Sequence, residues 1–242
     1  MQQKGCFFPY SLNNGKTNMA LDEQLLEQSI KKQMKAPVLR FYGWSPACVS
    51  LGRNQSDENI NKGFCGKNNI DIVRRLTGGR ALLHDKELTY SFVCHVGFLK
   101  NGESVISSYK EISEALALGF QKLGIPVDFP QNVRAKTKYE YCMSLCTGAD
   151  LSYCGKKITG SAQFRKQGYI LQHGSIMFDY DKACIEAIFG EKPQENKIAI
   201  LKEINPSLTV ESLCDALQQG FEEKFNLDFT SNIPLEAFSY SN

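Results

Sequence analysis

The sequence predicts an α/β (α+β) fold, a mixed β-sheet flanked by helices, and three observations carry that expectation. Stretches with apolar residues at helical spacing alternate along the chain with short runs rich in β-branched and aromatic residues. No Pro/Gly/Ser-rich linker, internal repeat or long charge run divides the 242 residues, so 1–242 are expected to form a single domain. A hydrophobic share of 42% is enough to fill a core of that size.

The elements follow in order. Asn18 is placed to cap a helix that runs to about Met34, with Met19, Leu21, Leu25, Leu26 and Ile30 on one face. Residues 38–44 and 47–51 read as two strands joined at Ser45 and Pro46, and 70–74 read as a third. Residues 88–96 alternate as a fourth. Ser107 or Ser108 can cap a helix to about Leu123, where Tyr109, Ile112, Leu116, Phe120 and Leu123 share a face and Gly124 stops it. Strands are expected near 150–153, 157–164, 169–172 and 175–178, with helices at about 181–189 and 210–225.

Composition excludes several classes. A formal charge of +2 and the absence of a lysine-rich block with interleaved aromatics argue against nucleic-acid binding, although a local basic patch can still meet an acidic carrier protein. The nine cysteines are odd in number and lack paired spacing, which reads as free thiols in a reducing compartment. The apolar patch at Cys6, Phe7 and Phe8 is too short for a signal-peptide core, and no stretch approaches the ~18 apolar residues of a membrane span. A cytoplasmic protein without a membrane partner is expected.

The chemistry concentrates in two segments. In Arg74-Arg75-Leu76-Thr77-Gly78-Gly79-Arg80-Ala81-Leu82-Leu83-His84-Asp85, two glycines let the backbone turn and approach a ligand, while Arg74, Arg75 and Arg80 offer planar cationic forks suited to carboxylate or phosphate. Taken alone, the same pattern fits a tight turn on a basic surface. The second segment is Gly155-Lys156-Lys157-Ile158-Thr159-Gly160-Ser161-Ala162-Gln163, followed by Leu171-Gln172-His173-Gly174-Ser175.

The two segments, in this order and about 80 residues apart, resemble the biotin/lipoate protein ligase superfamily, whose first motif is Arg-Arg-x-Thr-Gly-Gly-x-Ala and whose second centres on a lysine before Gly-Ser-Ala. The resemblance extends through Leu39-Arg40-Phe41-Tyr42-Gly43-Trp44, Val49-Ser50-Leu51-Gly52-Arg53-Asn54-Gln55 and Glu87-Leu88-Thr89-Tyr90-Ser91, and covers roughly residues 15 to 230. It implies the catalytic-domain fold of that superfamily. The wording from Gly79 to Ser91, with Arg80 where the ligases usually carry a third glycine, is more similar to the cysteine-dependent octanoyltransferases of lipoate synthesis than to the ATP-using ligases. Ser161-Ala162-Gln163 with Leu171-Gln172-His173-Gly174-Ser175 points the same way.

That resemblance implies residue roles. Cys142, 15 positions before Lys157, matches the spacing of the nucleophilic cysteine, and a thiolate suits an exchange between thioesters. Cys146 and Cys154 are rivals, because Met143 stands where the family has phenylalanine and Cys146 where it has proline or a small residue. These three cysteines with His173 match no common zinc spacing, so no metal is expected. Lys157 is expected to stabilise the thioester oxygen as Cys142 attacks, and Lys156 to point to the opposite sheet face. Arg74, Arg75, Gly78, Gly79, Arg80, Ala81, His84, Gly160, Ser161, Ala162, Gln172, His173 and Gly174 are the expected substrate-binding set, with Gly160, Ser161 and Ala162 as close-approach positions against the acyl chain. His173 serves equally as a base or as a satisfied structural histidine. Phe41, Tyr42 and Trp44 are expected in the core rather than the pocket.

The implied activity is octanoyl transfer from acyl carrier protein, through a cysteine thioester, to the lysine of a lipoyl-accepting protein, either glycine-cleavage H protein or a lipoyl domain. No cofactor is implied, and a monomer is expected. The alternatives are a lipoate-protein ligase using ATP, an amidotransferase between lipoylated proteins, and a carrier-protein-binding module without turnover.

Overall fold

A computed structural model describes residues 2–130 and 150–229. The chain enters through β1 (Gln3–Lys4), β2 (Cys6–Asn13) and α1 (Gly15–Lys31), then β3 (Val38–Trp44), β4 (Cys48–Leu51), α2 (Lys62–Lys67) and β5 (Asp71–Arg74). It continues through β6 (Leu82–His84), β7 (Glu87–His95) and α3 (Val105–Lys122) to β8 (Leu151–Tyr153), β9 (Lys156–Lys166) and β10 (Tyr169–Met177). Helices α4 (Lys182–Phe189), α5 (Leu201–Ile204) and α6 (Val210–Phe225) lead to β11 (Leu227–Asp228).

The large sheet has the order β2-β3-β7-β10-β9-β8 and the small one β5-β4-β6, while β1 pairs with β11. Both larger sheets mix directions: β2 runs parallel to β3 but β3 antiparallel to β7, and β4 is parallel to β5 but antiparallel to β6. The mixed sheet with covering helices is the expected fold class.

Alternation along the central strands divides the core. Leu39, Phe41, Tyr90, Phe92, Ile170 and Ile176 face α3 and α6, where Ile112, Leu116, Phe120, Leu217 and Phe221 close over them. On the other face, Leu25 and Leu26 of α1 pack on Val38, Val93 and Leu171. The small sheet has its own apolar layer, in which Val49, Leu51 and Leu83 meet Ile185 and Ile188 of α4.

Several boundaries differ from expectation for identifiable reasons. The first helix is capped by Asn14, whose side chain accepts from the Thr17 N–H at 2.8 Å, so Asn18 lies one turn inside and donates instead to the Gly43 carbonyl at 2.9 Å. The α3 cap is Ser104, three and four residues before the expected Ser107 and Ser108. The two strands expected at 169–172 and 175–178 are one continuous β10, because Gly174 sits mid-strand where a side chain would strike Ser161 and Tyr90. Among the described residues no helix is long and apolar enough to cross a membrane. Seven cysteines fall within the described residues, and all are free.

Candidate active site

A cavity with about 460 Å³ of space between its atoms, part of it open at the mouth, lies where the two sheets and α1 meet. Met19 of α1, Tyr42 and Trp44 of β3, Ser50 of β4 and Leu82 and His84 of β6 line one side. The loop from β5 to β6 contributes Arg75 and Gly79, and the large sheet contributes Thr89, Gly160, Ser161, Ala162, His173, Gly174 and Ser175. The two sequence segments therefore wall one site. Since β3 and β9 are separated by β7 and β10, the cavity crosses three strand spacings, roughly 14 Å. An extended eight-carbon chain, with C–C bonds of about 1.5 Å, spans roughly 9 Å and fits that crossing.

The arginine-glycine loop is built by its own arginines. Arg75 is buried; its Nη1 donates to the Ser50 carbonyl at 2.8 Å and to Ser50 Oγ at 3.0 Å, its Nη2 to the carbonyls of Gly78 at 2.9 Å and Arg80 at 2.7 Å, and its Nε to Thr77 Oγ1 at 3.2 Å. Arg74 points away from the cavity and donates to the carbonyls of Gly52 and Gln55, both at 2.7 Å. The guanidinium forks thus satisfy backbone carbonyls of the loop and of the adjoining segment 50–55. The Gly79 carbonyl lies where a Cβ on Gly52 would come within 1.9 Å of it, so the loop closes on the Gly52 turn only because Gly52 lacks a Cβ, while Gly79 itself takes φ +96, a conformation that favours glycine.

From Thr77 a polar chain runs along the cavity wall. Asp22 accepts from Arg40 at 3.0 Å, Tyr42 at 2.8 Å and His173 Nδ1 at 2.9 Å. The other ring nitrogen of His173, Nε2, lies 2.7 Å from the Thr77 hydroxyl, so the ring bridges the carboxylate and the glycine loop. Burial pushes the Asp22 carboxyl up, but the His173 hydrogen bond and the Arg40 charge outweigh it and hold the group below the ordinary aspartate value. Beyond Arg75, the Ser50 hydroxyl bonds His84 Nε2 at 2.8 Å and His84 Nδ1 faces Glu87 at 3.4 Å. Glu87 also accepts from Thr89 at 2.7 Å and from Ser175. Burial holds the His84 pKa below the usual histidine value against the pull of Glu87. Trp44 stacks on His84 with ring centroids 4.0 Å apart and donates its indole N–H to Thr89 at 2.9 Å.

On the opposite sheet face, Ser161 is fixed by two tyrosines: Tyr90 donates to its Oγ at 2.8 Å and Tyr109 to its carbonyl. Gln172 donates to the Tyr90 hydroxyl at 2.9 Å and accepts from Gln163 at 2.9 Å, so it braces the wall from behind. Burial pushes the Tyr90 phenol up to about 12, so it stays a neutral donor. Lys157 is buried and paired with Asp150 at 2.9 Å, while Lys156 is exposed.

Of the expected residues, Arg75, Gly79, His84, Gly160, Ser161, Ala162, His173 and Gly174 line the cavity. Gly78 and Arg80 lie on the loop with their carbonyls turned to Arg75, Ala81 is in the small-sheet core, and Arg74 and Gln172 support from behind. Cys142 and Cys146 lie outside the described residues, and Cys154 is exposed on the β8–β9 turn. Phe41 is core as expected, but Tyr42 and Trp44 line the cavity, because their strand alternates them onto the α1 face. Asp22, Ser50, Thr77, Glu87 and Asp150 are site residues that pattern reading passed over. Asp22 carried a signal, a carboxylate one turn from Asn18 on the face that buries Leu25 and Leu26.

Relatives are consistent with this geometry. The lipoyl protein ligase A/B catalytic domain family matches residues 14–222. The octanoyltransferase LipM of Clostridioides difficile (strain 630) is 37% identical over 231 residues, 89% of this chain and 84% of its own length. That of Bacillus subtilis (strain 168) is 37% identical over 229 residues, 87% of this chain and 82% of its own. Among solved structures, a putative lipoate protein ligase from T. acidophilum with bound lipoic acid superposes with a TM-score of 0.80 at 22% identity, covering 98% of this chain and 92% of that one. A lipoate-protein ligase A bound with ATP gives 0.79 at 22% identity, with the same coverage. At such identity the two structures speak for the fold, the sequence relatives for the lineage, and together they show that the chain belongs to the lipoyl protein ligase A/B catalytic domain family.

Proposed function

We propose that the protein is an octanoyltransferase of protein lipoylation that works by two acyl transfers. Cys142 takes the octanoyl group from the phosphopantetheine thiol of acyl carrier protein, and the lysine of a lipoyl-accepting protein, such as glycine-cleavage H protein or a lipoyl domain, then attacks the thioester to form an amide. The observation that supports this best is the cavity: a slot across four strands, long enough for eight carbons and lined mainly by uncharged residues with the Arg75 cation turned to carbonyls, with the lysine-bearing strand β9 at one end and Trp44 at the other. The octanoyltransferase relatives match over most of their length. The fold also houses ATP-dependent ligases, yet here Arg74 and Arg75 point at loop carbonyls, which favours transfer without ATP. The Lys157 ammonium is taken to stabilise the thioester oxygen from β9.

Intact-mass spectrometry of the protein mixed with octanoyl carrier protein, without ATP or acceptor, tests this. One hydroxylamine-labile octanoyl group is expected, and Cys142→Ala should abolish it. Adduct retained on Cys142→Ala but lost on Cys146→Ala would move the nucleophile. ATP-dependent turnover of free octanoate or lipoate, indifferent to Cys142→Ala, would establish the ligase reading instead.

A further inference from the structure

We infer that Asp150 is a positioning residue for acyl transfer, holding the Lys157 ammonium against the strand that walls the acyl cavity; this rests on the reading of Lys157 given above. Lys157 is 2% exposed and Asp150 1%, and Asp150 Oδ2 lies 2.9 Å from Nζ. The other oxygen, Oδ1, accepts the backbone N–H of Ser161 at 3.3 Å. Ser161 lines the cavity and is pinned in turn by Tyr90 and Tyr109. One carboxylate therefore ties the ammonium to a fixed point of the cavity wall.

Physical chemistry gives this bridge two consequences. A lysine taken out of water without a counter-charge loses its proton readily, and a neutral amine is a poor donor to an oxygen that gains negative charge. Asp150 supplies such a counter-charge at 2.9 Å. The long lysine stem also has many rotamers, and a carboxylate anchored on Ser161 selects the one beside β9, so orientation is settled before the acyl group arrives. Tyr90 on β7 senses the Asp150 charge, and burial pushes its phenol up to about 12. It therefore remains a neutral donor across the pH range of the test below.

The test measures single-turnover acylation of the full chain by octanoyl carrier protein between pH 6 and 9, for the wild type, Asp150→Asn, Asp150→Glu and Lys157→Ala. Asp150→Asn should slow acylation tenfold or more with the donor KM changed less than threefold. Its rate should fall as pH rises through the lowered lysine pKa, a falling limb that the wild type reaches only at higher pH. Asp150→Glu restores the charge and should recover part of the rate and the wild-type pH profile. Should Asp150→Asn fail to fold, Asp150→Glu carries the test alone: a lowered kcat at wild-type KM with the profile unchanged supports positioning, and a loss that only follows the folded fraction overturns it. A wild-type rate and profile for Asp150→Asn alongside a slow Lys157→Ala overturns the inference and leaves the lysine reading standing. A wild-type rate for Lys157→Ala overturns the lysine reading itself.

Discussion

Trp44 closes the end of the cavity farthest from β9, and replacing it should lengthen the acyl chain the enzyme prefers. The indole is held by its N–H bond to Thr89 and by its stack on His84, so it is a rigid stop rather than an adaptable one. Trp44→Leu removes about six heavy atoms and opens room for at least two more methylenes, each worth roughly 0.8 kcal/mol of burial. A decanoyl donor should therefore gain about 1.6 kcal/mol relative to octanoyl, which shifts the ratio of their kcat/KM values by about fifteenfold. Stability should drop by no more than the ~3–5 kcal/mol of a full aromatic truncation, because leucine refills part of the space. The assay compares octanoyl and decanoyl carrier protein as donors at equal concentration, with melting curves alongside. An unchanged ratio, with both donors slowed in step with a lower melting temperature, would show that Trp44 is a packing residue and that the chain does not end against it.

Other expectations follow from the buried network. Asp22→Asn leaves Arg40 without its charged partner and should cost about 3–5 kcal/mol in urea unfolding. The folded Asp22 pKa is depressed, so its contribution is present above the unfolded value of about 4 and is lost as pH falls through the lower folded value; acid unfolding of the wild type, but not of Asp22→Asn, should carry that slope. His84 is held neutral by burial, so below about pH 6.5 the unfolded chain takes up a proton that the folded one refuses, and stability should fall as pH drops from there toward the folded pKa. Thermal melts between pH 7 and 5 should show the decline, and His84→Gln should flatten it. Gly174→Ala puts a Cβ 2.5 Å from Ser161 Oγ and 2.8 Å from the Gly160 carbonyl, so it should cost about 1–3 kcal/mol and slow acylation, while Gly66→Ala, with nothing within 4 Å, should not destabilise.

Much of the fold was readable because hydrophobic period and punctuation agree with it. The strand at 38–44 and the helix at 210–225 emerge with those bounds, and Gly124, at φ +70, follows α3 as expected. What escaped was set by partners distant in sequence. The aromatic residues of β2 suit a strand, but Pro9 interrupts the run and its partner β3 lies across the whole of α1. Asn18 has the chemistry of a cap, but Gly43 and Arg40 draw it inside the protein while Asn14 takes the end. At the site, the two glycine-containing segments were legible because they occur together, in order and about 80 residues apart, as the superfamily's paired motifs, whereas the first alone reads as a tight turn. The direction of each arginine was not, since a guanidinium that binds an anion and one that binds carbonyls look identical in sequence.

That last distinction determines what the cavity is suited to hold. Asp22, His173, Thr77, Arg75, Ser50, His84 and Glu87 form one hydrogen-bonded chain across α1, β10, the glycine loop, β4, β6 and β7, and it begins and ends on a carboxylate. Its charges compensate within the wall: Arg40 and Asp22 pair at 3.0 Å, and the Arg75 cation is surrounded by carbonyl and hydroxyl oxygens. Each partner removed would leave a buried polar group unsatisfied, so the chain fixes the relative position of the two segments that wall the cavity. The surface left facing the cavity is therefore rigid and nearly uncharged, a poor match for a phosphate and a good one for methylenes. The residues that would seem most suited to grip an anion serve here to close the glycine loop and build the cavity wall.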